Sequence, residues 1–116
     1  MSAETPLASL PPLKPPWFHI LLALSESVRH GQGIRDAVEA RTEGRVKLYP
    51  ANLYGSVRDM TELALLEPLP EAEQPDDDQR RQYYRLTSRG RELLRMEADR
   101  LQSLVDAARS SRALAG

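Results

Sequence analysis

Among its 116 residues the chain has no cysteine, one tryptophan, one phenylalanine and two histidines. Without cysteine there is no disulfide framework and no thiolate to serve as nucleophile or metal ligand. His19 and His30 form no His/Cys/carboxylate set at metal-ligand spacing. His19 falls within an apolar helical pattern and reads as a packed side chain; His30 precedes a glycine turn and reads as a contact to backbone or DNA. The acidic triple Asp76–Asp78 reads as a solvated loop rather than a cation site. No glycine-rich phosphate loop follows a strand pattern. No apolar run approaches the length of a membrane span, and the N-terminus lacks the cationic-then-apolar order of a signal peptide. The expectation is a cytoplasmic, single-domain, non-enzymatic protein, with no catalytic residues, cofactor, metal or membrane partner.

What is present is ordinary in amount and uneven in placement. Hydrophobic residues make up 41% and charged residues 28%, with a net charge of −1. Residues 44–58 hold Arg45, Lys47 and Arg58 and no acid, or +3; residues 79–91 hold Arg80, Arg81, Arg85, Arg89 and Arg91 and no acid, or +5; the rest of the chain therefore carries −9. Two basic segments sit in an acidic background, and folding that joins them makes a local cationic surface.

Residues 1–14, rich in proline, serine and alanine, read as a flexible arm. Pro15 and Pro16 suit the first turn of a helix. Trp17, Ile20, Leu21, Leu24 and Val28 then recur at helical spacing, predicting a helix over 15–28. Ile34, Ala37 and Val38 mark a second helix over 32–42, stopped at Gly44. Pro50 opens a third over 50–63, with Leu53, Val57, Met60 and Ala64 on one face. Pro68 and Pro70 exclude a helix afterwards, so "LLEPL" reads as an edge strand and "RRQYYRL" as its partner across a polar loop. Thr87 is the expected N-cap of a helix over 88–112. The fold class is mainly α with a β-hairpin: a winged helix-turn-helix over 15–88, followed by a long helix over 89–113.

Opposite its apolar face the third helix shows Ala51, Gly55, Arg58 and Glu62, with Tyr54 on the flank and acids only from Asp59 onward. A helix entering the major groove by its N-terminal end needs small, then basic, residues there, with acids held back. Asn52, Tyr54, Ser56 and Arg58 are the candidates to reach bases or phosphates, over the small Gly55; a merely solvated face remains open. Arg80 and Arg81, nearest the hairpin tip, are phosphate candidates, unless they neutralise Asp76–Asp78. On the last helix Leu94, Ala98, Leu101, Val105 and Ala108 make a seam at spacings of four and three. A second copy of the chain is the economical cover, giving two reading heads for a near-palindromic site; the alternative is packing back on the first helix. A winged helix used for protein–protein contact, without DNA, is the alternative function.

Three stretches together resemble the PadR family of transcriptional regulators. "FHILLALSESVRHGQGI" is similar to its opening helix and His-Gly turn, "TEGRVKLYPANLYGSVRDM" to its recognition segment with the "LY" pair, and "RRQYYRLTSRGRELLRMEADRL" to its wing strand and C-terminal helix. The resemblance implies a dimeric winged helix-turn-helix, usually a repressor, of the short subfamily whose single C-terminal helix dimerises. By position it implies that Lys47, Tyr54 and Arg80 face DNA. It also implies a small apolar effector near the dimer interface, for which Trp17, Phe18 and Met96 are the candidate lining. Three departures stand out: Gln32 where an aromatic is usual, Asn52 where the family has threonine, and Ala64-Leu65-Leu66 in place of "GLI".

Overall fold

The computed structural model describes residues 2–114. Four helices carry the chain: α1 (Pro15–Glu26), α2 (Gly31–Arg41), α3 (Pro50–Glu62) and α4 (Ser88–Ser110). Three short strands, β1 (Arg29–His30), β2 (Leu66–Pro68) and β3 (Tyr83–Leu86), form one antiparallel sheet in the order β1-β3-β2. This is a winged helix with a long C-terminal helix. No helix among the described residues is long and apolar enough to cross a membrane.

The core is built on α1, which packs against the other three helices and β3. Ile20, Leu21, Ile34, Leu53, Met60, Leu63, Leu65, Leu66 and Leu93 are fully buried. Each contributes roughly 1.5–3 kcal/mol relative to an exposed position. α1 stops at Glu26, short of the expected 28, because Ser27 is already extended and leads into β1. Val28 is therefore 40% exposed rather than part of the helical stripe. β1 falls just before the two glycines, where the sequence predicts a turn and no strand. Its register sets Arg29 opposite Tyr84 and His30 opposite Tyr83.

The second wing strand is shorter than expected. Arg80, Arg81 and Gln82 lie outside it, because the chain turns at Arg80, whose φ of 51° is left-handed and incompatible with an extended strand. Arg80 N–H closes that turn on the Asp77 carbonyl at 2.9 Å. Across the β2–β3 pair Glu67 stands opposite Arg85, and the Arg85 Nε–Glu67 Oε1 distance is 2.7 Å.

The start of α4 is seated on the α3–β2 junction. The Thr87 hydroxyl accepts from Gly90 N–H at 3.0 Å and donates to the Ala64 carbonyl at 2.6 Å. Thr87 is thus the N-cap. Thr87 N–H donates to the Leu65 carbonyl at 3.2 Å, and Arg89 Nε to the Leu63 carbonyl at 2.9 Å. Ala64 has φ 59°, the conformation that follows many helix C-termini and that favours glycine. The departure from "GLI" therefore places an alanine where the backbone costs it about 1 kcal/mol.

Residues 2–14 do not form the free arm expected of them. Leu7, Leu10 and Leu13 pack against the core. Arg89 donates to the Thr5 carbonyl, and Leu13 N–H donates to Glu97 Oε2 at 2.7 Å. Three leucines at a spacing of three supply the apolar surface that the proline-rich composition obscured.

Candidate nucleic-acid interface

Leu53, Val57 and Met60 are buried and clamp α3 by one face, so its other face is outward. Ala51, Asn52 and Arg58 are exposed there; Gly55 and Ser56 are half-buried, and the Arg58 side chain is 72% exposed. A Cβ built on Gly55 meets nothing within 4 Å. Tyr54 is 53% exposed and its ring lies over the start of α2, where a Cβ on Gly31 would stand 2.6 Å from the Tyr54 hydroxyl. Gly31 is small because this tyrosine needs the space. Gln32, the residue in the usual aromatic position, is exposed; its amide donates to Asp36 along the surface of α2.

The approach to α3 alternates. Val46 is half-buried, Lys47 exposed, Leu48 buried and Tyr49 62% exposed. The Thr42 hydroxyl accepts from Val46 N–H at 3.0 Å and bonds the Val38 carbonyl at 2.9 Å, which fixes the loop. Lys47 and Tyr49 are therefore turned outward together at the N-terminal end of α3. Tyr49 was missed in the sequence; the in-out alternation of "VKLY" was the signal.

The wing divides the second basic segment. Arg80 is exposed. Arg81 Nε lies 2.9 Å from Asp77 Oδ2, Arg85 pairs with Glu67 and Glu73, and Arg89 serves backbone carbonyls of Leu63 and Thr5. Three of the five arginines are thus engaged within the chain, which leaves Arg80 and Arg91 as the exposed ones. Asp77 also accepts from Gln79 N–H at 2.9 Å and from the Tyr83 hydroxyl at 3.1 Å. Tyr83 in turn stacks edge-on against His30 at 5.0 Å, and His30 Nδ1 accepts from Gly33 N–H at 3.0 Å, capping α2. The wing loop is tied through these side chains to the helix-turn-helix. His19 is half-buried, its Nδ1 without a hydrogen-bond partner among the described residues, and burial followed by the Arg41 charge pushes its pKa down.

The Arg81 hydrogen bond and the Gln79 N–H hold the Asp77 carboxyl down at about 2, against an ordinary 3.8. A depressed folded pKa stabilises the ionised state, so this contribution is complete above pH 3.8 and lost as pH falls through about 2. Thermal unfolding of Asp77→Asn beside the wild type should show a lower Tm for the variant at neutral pH and a gap that narrows steadily as pH falls from 3.8 toward 2. An equal gap at both ends would show that Asp77 is not held by charge.

On α4, Leu93 and Glu97 face the domain and are buried. Leu94 and Leu101 are half-buried, Ala98 and Ala108 exposed, and Val105 is 43% exposed, joined by Leu104 at 55%. The first turns of α4 pack on α1, and Leu94 of the seam lies against the core, while Ala98, Val105 and Ala108 stay exposed. Residues 102–110 are exposed on every side. Of the effector candidates Trp17 is 7% exposed, whereas Phe18 and Met96 are half-buried. The cleft of about 270 Å³ beside Trp17 is lined by Leu10, Pro12, Leu13, Lys14 and Asp59, not by Phe18 or Met96.

Residues 20–96 match the transcriptional regulator PadR-like family. Among solved structures the chain is similar to a transcriptional regulator from Clostridium thermocellum, with 17% identity, a TM-score of 0.68 and coverage of 83% of this chain and 91% of that one. It is also similar to RosR of H. salinarum, at 22% identity and a TM-score of 0.62, covering 90% and 86% of the two chains. A RosR structure described as a complex, hsRosR-S1, gives 22% identity and a TM-score of 0.60 over 88% and 81%. At these identities the likeness is one of fold. No curated protein matches.

Proposed function

Since the chain belongs to the transcriptional regulator PadR-like family, we propose that it is a cytoplasmic, non-enzymatic repressor that binds a near-palindromic operator as a homodimer. The observation that carries this reading is the outward face of α3. Ala51, Asn52, Gly55 and Ser56 leave room for groove edges, Arg58 follows them, and buried Leu53, Val57 and Met60 hold the helix in place. A helix so presented can enter the major groove by its N-terminal half. Asn52 is suited to bidentate contact with adenine, and Tyr54 and Ser56 complete the candidate contacts. Lys47 and Arg80, exposed on the flanking loop and wing, supply phosphate contacts; Arg81, committed to Asp77, supplies less. The seam Leu94, Ala98, Leu101, Val105 and Ala108 is the dimer contact.

Each phosphate contact releases a condensed counterion, so its loss flattens the dependence of log K on log salt by about 0.9. Lys47→Ala and Arg80→Ala should each weaken duplex binding and flatten that slope by about this amount per bound subunit. Fluorescence anisotropy across a potassium chloride series reads both. Wild-type slopes in both variants would remove these residues from the interface. Absence of any salt-dependent duplex binding by the wild type would leave the winged helix as a protein–protein module.

A further inference from the structure

The segment before residue 20 lies outside the family match, yet its end borders the reading face. Lys14 is exposed and is the N-cap of α1. With Pro16 and Trp17 it forms one wall of a groove whose other wall is Ala51, Asn52, Gly55, Ser56 and Asp59 of α3. These include the small and polar residues offered to DNA. The backbone at Lys14 is held from both sides. Leu13 N–H is fixed to the buried carboxylate of Glu97, which Arg100 also engages. The Lys14 carbonyl accepts from the N–H of Trp17 at 2.9 Å, and Trp17 is buried. The leucines of residues 7–13 press the whole segment onto the core.

The chemistry of this wall rests on one group. Pro15 and Pro16 occupy the first two positions of α1 and have no N–H to offer an anion. Among the described residues no carboxylate lies within 4.0 Å of the Lys14 ammonium. Asp59, the acid in the groove, sits one helical turn beyond Gly55, with Arg58 Nε at 3.5 Å. A long, unpaired cation is thus carried by a pinned backbone to the edge of a surface shaped to receive a duplex.

We propose that Lys14 contacts a DNA phosphate flanking the bases read by α3, so that the docked N-terminal segment is part of the nucleic-acid interface. This rests on the function proposed above and adds an element that the family match does not contain. A phosphate contact positions the protein without reading sequence, so the expected signature is uniform.

The test uses the full chain, a fluorescein-labelled duplex of mixed sequence and a second duplex of unrelated sequence, across a potassium chloride series. Lys14→Ala should weaken both duplexes by the same factor and flatten the salt slope by about 0.9 per bound subunit. Lys14→Arg should keep the wild-type slope. Lys47→Ala serves as the reference for the main interface. A wild-type slope in Lys14→Ala overturns the proposal; if Lys47→Ala is flattened in the same series, the regulator reading stands without it. A wild type that binds neither duplex overturns both.

Discussion

Replacing Gly90 with alanine is expected to lower the melting temperature by roughly 12–24 °C, corresponding to about 3 kcal/mol of lost stability. Two effects oppose each other at this position. Alanine is the better helix former by about 1 kcal/mol, and in a freely exposed first turn it would stabilise α4. Here, however, an added Cβ would sit 1.9 Å from the Leu65 carbonyl oxygen and 2.7 Å from Leu86 Cδ1. The first is a backbone atom, and that carbonyl already accepts from Thr87 N–H, so it cannot swing aside without breaking the joint between α4 and the α3–β2 junction. Overpacking against backbone outweighs the helix-propensity gain. The substitution also stresses the Thr87 cap, because Gly90 N–H is its donor. Thermal unfolding followed by circular dichroism decides the matter by sign. An unchanged or raised Tm would mean that α4 does not seat on Leu65.

Gly55→Glu should separate stability from binding in the opposite way. Nothing lies within 4 Å of a Cβ at Gly55, and glutamate is favoured over glycine in a helix interior by several tenths of a kcal/mol. The variant should fold with an equal or slightly higher Tm. It should lose at least about a hundredfold in duplex affinity, some 2.8 kcal/mol, because it puts bulk and a negative charge on the face of α3 proposed to enter the groove. Gly55→Ala, adding one methyl and no charge, should bind far better than Gly55→Glu. Full affinity in Gly55→Glu would show that α3 does not read the DNA.

The elements visible in the sequence were those whose signals are local. α1, α3 and α4 announce themselves by apolar spacing, paired prolines open α1, and Thr87 caps α4 through the residue three positions on. β1 escaped because two residues have no periodicity. The docking of residues 2–14 escaped because it depends on Glu97 and Arg89, which lie 84 positions away from Leu13 and Thr5 respectively. The roles of the arginines were legible only as charge. Arg85 finds Glu67 across a strand pair 18 residues apart, and Arg89 finds a carbonyl 26 residues back. Net charge along the chain therefore overstated the surface available to phosphate. Conversely, the outward placement of Gly55 follows from the apolar stripe of α3, on which Leu53 is buried, whereas Lys47 is singled out by the family resemblance and its outward turn shows only in the alternation with buried Leu48.

The bare flank of α4 has a consequence for dosage. With Leu104 and Val105 uncovered in a lone subunit, the proposed pairing makes operator occupancy second-order in protein at low concentration, because association must precede or accompany loading on the site. A cell holding half as much of this chain would then lose more than half of its control, and a substitution confined to Leu104 or Val105 would alter the steepness of that response without touching the proposed reading face of α3.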